Sequence, residues 1–240
     1  QFSRYLILLK ERGAKVTFKV REDLHKLLST IKIDINLISN YPNYKEIDFE
    51  SPLLSLPYLL ATDITNIPIQ QRYIFANEKK ITFWKKQLNN KKLKIGINWY
   101  GSKDDKSFKL NNLKKIAELP NVQLISLQKG ESEKDLKNVD FPIKSFDGEI
   151  DNDGDAFVDT AAIIVNCDLI ITCDTSIAHL SGALGQKTWI LLKKIPDWRW
   201  MLNRSDTPWY KNAILFRNTN IKNWKPVFDE IYKKIKTNDI

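Results

Sequence analysis

Four short apolar runs constrain the fold most: LKIGINW (93–99), VQLISL (122–127), LIIT (169–172) and TWILL (188–192). Helical patterns stand between them, at 110–118, at 159–166 with Asp159 as its expected cap, and at 176–184. Strands alternating with helices predict a parallel sheet covered on both faces.

The first part of the chain carries the same alternation. Phe2, Tyr5, Leu6 and Leu9 fall at helical spacing and Gly13 follows as a stop. A strand is then expected over 15–20, a helix over 21–29, a short strand over 35–38 and another over 47–49. SPLLSLPYLL (51–60) reads as an apolar helix or turn punctuated by Pro52 and Pro57, and a long helix is expected over 78–88. Helix, glycine, strand is the second half of a strand–helix–strand unit, so a first strand is expected upstream of Gln1. The polar segment 89–92 sets the boundary. The fold class expected is α/β, with two Rossmann-like domains in tandem, 1–88 and 92–223, the first lacking its first strand.

Composition limits the partners. A net charge of +9 favours acidic ones: nucleotides, phosphosugars, nucleic acid or anionic lipid. No basic stripe with an aromatic RNA-binding signature is present, so nucleic acid is set aside. No apolar run approaches the roughly 20 residues needed to span a bilayer. Cys167 and Cys173 show no metal or disulfide spacing and read as buried thiols of a reducing compartment.

In open parallel sheets ligands sit beyond the carboxyl ends of the strands. Three such loops are polar here. In NWYGSKDDKSFKL (98–110), Gly101 and Ser102 allow a tight turn with free N–H groups, and Lys106 offers a charge to a diphosphate. In LQKGESEKD (127–135), Gln128 and Lys129 stand where the strand gives out, Gly130 lets backbone approach a ligand, and Glu131 and Glu133 offer acceptors to a ribose. Each of these loops reads equally as solvated surface. In CDTSIAHLSGALG (173–185), Asp174, Thr175 and Ser176 sit at a strand-to-helix junction that favours an anion, or serves as a plain helix cap. Asp174 can instead accept from sugar hydroxyls. His179 shares a helix face with Ser176. Gly182 suits close helix packing and Gly185 helix termination. The aromatics of 198–210 read mainly as packing, with Arg199 the best of that segment for contact with a phosphate. No Ser–His–Asp triad, zinc cluster, P-loop or GxGxxG is found.

CDLIITCDTSIAHLSGALGQKTWILL (167–192) resembles the signature segment of the heptosyltransferase-like glycosyltransferases, glycosyltransferase family 9. PDWRWMLNRSDTPWYKNAILFRN (196–218), FESPLLSLP (49–57) and SLQKG (126–130) are similar to the branch found downstream of tetratricopeptide repeats. The resemblance runs over nearly the whole chain and is densest over 168–217. It implies a GT-B architecture: donor in the second domain, acceptor mainly in the first, and a final helix (224–240) packing back toward the first. It implies an inverting, metal-independent transfer from a nucleotide-sugar to an unknown glycan, lipid or protein acceptor, without a cofactor; the reducing compartment read from the cysteines is taken as the cytoplasm. Peripheral membrane contact stays open. Ser102 and Lys106 match positions that bind donor phosphates; Asp174, Thr175, Ser176 and His179 match the segment lining the donor's sugar and phosphate. The family's proposed base, an Asp in a Gly-Asp loop, is expected just before Gln1. After the loop lysine the family often has an aromatic and a proline; Ser107-Phe108-Lys109 keeps the aromatic alone. Two alternatives stand beside transfer: a non-catalytic nucleotide- or sugar-binding module, and a nucleotide-sugar epimerase of the same architecture.

Overall fold

The protein is described here by a computed structural model over residues 1–41, 47–68, 71–102, 104–146, 148–220 and 223–240. In the first part, helix α1 (Arg4–Glu11) leads through Gly13, at φ +87°, to strand β1 (Thr17–Lys19). Helix α2 (His25–Leu28), with a 3₁₀ turn before it, connects to strand β2 (Asn36–Ile38), which pairs parallel with β1. Residues 47–49 form no strand. The short helix α3 (Leu56–Leu59) carries Pro57 in its first turn, where the missing N–H costs nothing. Helix α4 (Glu78–Gln87) is capped by Asn77, whose side chain accepts from the N–H groups of Lys79 and Lys80.

The second part holds the larger sheet. Strand β3 (Leu93–Asn98), helix α5 (Lys114–Ala117), strands β4 (Val122–Ser126) and β5 (Ile143–Lys144), and helix α6 (Val158–Val165) follow in sequence. Strand β6 (Leu169–Cys173), helix α7 (Ser176–Ala183), strands β7 (Thr188–Leu192) and β8 (Ala213–Arg217), and helix α8 (Lys225–Lys236) complete it. The strand order is β5-β4-β3-β6-β7-β8 and every pairing is parallel. Counted within this sheet the order is 3-2-1-4-5-6, that of doubly wound nucleotide-binding sheets, with its reversal between β3 and β6. The fold is α/β with two parallel sheets of Rossmann-like character. β8 holds the apolar run AILF (213–216), inside the segment 196–218.

Both faces of the larger sheet are covered, which is why its strands are continuously apolar rather than alternating. Ile95, Ile97, Leu169, Ile171, Trp189 and Leu191 form one face, under α5 and α8. Ile125 and Ile170 point the other way, among residues of α6 and α7. Gly96 lies on that second face because a Cβ there would meet Ile170 Cδ1 at 2.7 Å and Leu127 Cδ1 at 2.9 Å.

Two expectations need correcting, those for the last helix and for Asp159. The stripe Val227, Ile231 and Ile235 of α8 buries in a cluster drawn wholly from residues after 92, so the last helix covers its own sheet rather than the first domain. Residues 1–88 and 92–223 do not keep separate cores. Ile7, Leu27, Tyr73 and Trp84 share a cluster with Ile163 and Ile177, and Phe2 and Tyr5 share another with Ile190 and Trp209. Asp159 does not cap α6. That place is held by Phe157 at φ +67°, and the buried Asp159 carboxylate accepts from Trp84 Nε1 at 2.6 Å and pairs with Lys80 of α4. The segment already satisfies its orphan donors another way: Asp151 Oδ1 accepts from the N–H groups of Asp159 and Thr160.

Candidate active site at the sheet reversal

Side-chain hydrogen bonds lace together the strand ends where the sheet order reverses. Asn98, the last residue of β3, is buried, and its Oδ1 accepts from Thr172 Oγ1 at 3.1 Å and Thr175 Oγ1 at 2.7 Å. Its Nδ2 donates to Gln128 Oε1 at 2.8 Å. Gln128 Oε1 also accepts from the backbone N–H groups of Trp99 (3.2 Å) and Tyr100 (3.0 Å), while Nε2 donates to the carbonyls of Tyr100 and Lys129. Polar groups this deep must be satisfied, and these satisfy each other. β3, β4 and β6 therefore end in a fixed frame.

A cleft of about 540 Å³ opens above that frame. Tyr100, Gly101 and Ser102 line it from the β3 loop, Gln128, Lys129, Glu131 and Ser132 from the β4 loop, and Asp174, Thr175 and Ser176 from the β6–α7 junction. Phe157 and Thr160, on α6 and just before it, add an edge. Lys106 Nζ meets Asp174 Oδ2 at 3.0 Å, with both side chains largely buried. Gly101 permits the close approach of the β3 loop: a Cβ there would lie 3.3 Å from Thr175 Cγ2. Thr175 caps α7, its Oγ1 accepting from Ile177 N at 3.2 Å. Ser176 opens the helix and is exposed. The mouth thus offers a helix N-terminus and a carboxylate whose partner, Lys106, lies behind it, which suits a phosphate joined to a polyhydroxylated group.

The frame also sorts the residues expected at the site. Ser102, Gln128, Lys129, Asp174, Thr175 and Ser176 come together around the cleft, and Lys106 joins them through Asp174. Gln128 is spent inside the frame. Lys129 Nζ donates to the carbonyls of Ile150 (2.6 Å) and Asp151 (3.3 Å), tying down the segment before α6. Glu133 is likewise spent, on the N–H of Gly130. Glu131 lines the cleft and is exposed.

His179 and Arg199 do not line this cleft. His179 stacks on Trp200 (5.2 Å between centroids, 8° between planes), and its Nδ1 lies 2.9 Å from the Tyr210 hydroxyl. Burial first, then nearby positive charges that include Arg199, Arg4 and Lys106, hold its pKa well below the ordinary imidazole value. Arg199 pairs with Asp197 at 2.7 Å and lies over the rings of Trp198 and Phe2. Trp200, Trp209 and Tyr210 are buried, as packing predicts, whereas Trp198 is exposed. Burial pushes the Cys173 thiol up to about 12, so the strand end carries no nucleophilic thiolate. Among the described residues no group of three or more His, Cys, Asp or Glu gathers to hold a metal.

Sequence reading missed Asn98, Phe157 and Thr160. An amide closing an apolar strand was a usable signal for Asn98. Nothing local marks Phe157, whose place depends on a left-handed backbone.

No family model matches the sequence, and no curated protein matches it. Solved structures do. The glycosyl transferase family 9 structure from Veillonella parvula aligns at TM-score 0.50 and 12% identity, over 78% of this chain and 51% of that one. E. coli heptosyltransferase WaaC with ADP-2-deoxy-2-fluoro heptose aligns at TM-score 0.49 and 13% identity, over 78% of this chain and 54% of that one. E. coli ADP-heptose LPS heptosyltransferase II aligns at 0.48 and 12%, over 72% and 57%. The chain spans about half the length of the solved structures it matches, and the likeness to the Veillonella structure is one of fold.

Proposed function

We propose that this chain is the nucleotide-sugar-binding core of an inverting, metal-independent glycosyltransferase, with the donor seated in the cleft at the β3/β6 reversal. The observation that carries the reading is the Lys106–Asp174 pair at the mouth of a helix N-terminus. In the structure each group is the other's partner. A bound diphosphate takes Lys106 and the exposed Ser176 at the start of α7 as its donors, and frees Asp174 to accept from sugar hydroxyls. As the glycosidic bond breaks, charge grows on the leaving diphosphate, and Lys106 with the α7 N-terminus stabilises it. Ser102 adds a hydroxyl at the same mouth, while Gln128, Lys129 and Thr175 act by holding the loops in place. The same reading carries the association with tetratricopeptide repeats that the family resemblance implies, and the cytoplasmic setting expected from the two buried thiols.

A second reading, a non-catalytic module that binds a nucleotide-sugar, uses the same cleft and the same Lys106–Asp174 pair.

Thermal shift against UDP, GDP, ADP, CMP and their sugar conjugates tests the site common to both readings. A ligand at about 100 times its dissociation constant adds about 2.7 kcal/mol, hence roughly 5–10 °C in midpoint. One nucleotide should shift the wild type and lose its effect in Lys106→Ala. An equal shift in the variant would remove the cleft from the account. Nucleotide release from the sugar conjugate on adding candidate acceptors then separates transfer from binding alone.

A further inference from the structure

A second hollow, apart from the donor cleft, runs along the β8 edge of the six-stranded sheet. It measures about 620 Å³ and is lined by β8, by residues 203–206 and by Glu230 and Lys234 of α8. The ladder fixes which backbone groups of β8 face outward. Thr188 N–H donates to the Asn212 carbonyl and Asn218 N–H to the Leu192 carbonyl, so the even-numbered residues of β8 face β7. Ala213, Leu215 and Arg217 therefore turn their N–H and C=O groups away from β7. Two of those N–H groups are taken, that of Ala213 by the Tyr210 carbonyl (3.2 Å) and that of Leu215 by the Ser205 carbonyl (2.6 Å). The Leu215 carbonyl and the Arg217 N–H make no hydrogen bond among the described residues. In a parallel ladder one residue of an incoming strand meets just such a pair, donating to the carbonyl of one residue and accepting from the N–H two positions on.

The walls of the hollow carry charge. Phe216 packs on the α8 face of the sheet and Leu215 on the other, so side chains of an added strand alternate between the two walls. One wall presents Glu230 and Lys234, the lysine paired with Asp239; the other presents Arg204, paired with Asp206. Those two carboxylate partners are 70% and 72% exposed, and pairs so open to water hold weakly. Arg217 donates to the carbonyls of Trp200, Met201 and Arg204 and has no carboxylate partner among the described residues. Burial first, then the charge of Arg204, lowers its pKa from the ordinary guanidinium value, so the two guanidinium charges stand close enough to repel. Along the lining Arg204, Arg217 and Lys234 outweigh Asp206 and Glu230, which favours an incoming carboxylate. A second copy of the chain would bring another +9 to the same edge, which opposes self-association.

We infer that this edge is a docking site for an extended acidic peptide of a protein partner, which adds to β8 as a parallel strand and sets adjacent carboxylates against Arg204 and Lys234. Main-chain bonds to Leu215 and Arg217 supply the attachment, and the two walls supply the selectivity. The inference does not depend on the glycosyltransferase reading, since no residue of this hollow lines the donor cleft.

Amide exchange and ¹H–¹⁵N spectra of the whole chain test it, with acetyl-Thr-Val-Asp-Glu-Val-Thr-amide as the probe. Without peptide the Leu215 amide should exchange slowly and the Arg217 amide rapidly. The probe should move the Arg217 resonance and slow its exchange. A neutral probe, with Asn and Gln in place of Asp and Glu, should bind at least about threefold more weakly, and the gap should narrow at high salt. Lys234→Glu leaves the apolar stripe of α8 untouched and should weaken the acidic probe by a similar factor without lowering the melting temperature. Arg204→Gln should weaken it independently from the other wall. An Arg217 amide that is protected in the free monomer, or that the probe does not move, overturns the proposal, as does equal binding of the neutral probe. Protection that grows with protein concentration, alongside a dimer in sedimentation, gives the edge to a second copy and overturns it equally.

Discussion

At the scale of single residues, the site separates groups that face a ligand from groups consumed in holding the loops. Gln128 and Lys129 stood at a strand end, where sequence reasoning places ligands, yet their donors and acceptors go to Asn98 and to backbone of the neighbouring loops. Only the fold reveals that, because the partners are distant in sequence. His179 is the residue whose charge state matters most. Its folded pKa lies well below the value of about 6.5 that it takes in an unfolded chain. As pH falls below about 6.5 the unfolded chain binds a proton that the folded chain refuses, so stability decreases by up to about 1.4 kcal/mol per pH unit. Melting temperature should therefore fall more steeply between pH 6.5 and pH 5 in the wild type than in His179→Gln. Parallel curves would mean that His179 is not held neutral.

At the scale of elements, α7 shows how much of a helix is written locally. Thr175 caps its start, and Gly185, at φ +77°, ends it. Gln186 N donates to the Ser181 carbonyl and Gly185 N to the Gly182 carbonyl, the paired bonds of a Schellman ending. Cap, glycine and apolar spacing were all legible in CDTSIAHLSGALG. Gly182 is different in kind, because its reason is Tyr210, 28 residues away by numbering. A Cβ there would stand 2.3 Å from the Tyr210 ring, which Arg4 covers. Gly182→Ala gains up to about 1 kcal/mol of helix propensity, but overpacking costs about 1–3 kcal/mol. Calorimetry should find the variant less stable, and a midpoint at or above wild type would show that Tyr210 yields freely.

At the scale of the whole molecule, the six-stranded sheet and its helices form one body onto which the first 88 residues are laid. The N–H groups of Tyr73 and Ile74 both donate to the Ala183 carbonyl at the end of α7, and Trp84 reaches Asp159. On the opposite face α8 lies over α5. Ile231 is fully buried there, so Ile231→Ala should cost about 2–5 kcal/mol in chemical denaturation. A loss below about 1 kcal/mol would mean that α8 is not seated on the sheet.

By itself the sequence determined what local chemistry can decide: the apolar runs that become β3, β4, β6 and β7, the capped and terminated α7, and polar strand ends that attract anions. These depend on neighbours a few residues apart, through periodicity, caps and backbone preference. Tertiary structure alone decided which strand ends meet, that β3 and β6 flank the reversal, and that Asn98 joins three loops. It also decided that α8 covers its own sheet, and that Asp159, Gln128 and Lys129 bind within the protein. Each of those outcomes rests on contacts between residues far apart in the chain, which burial and hydrogen-bond satisfaction select only once the sheet has closed around them.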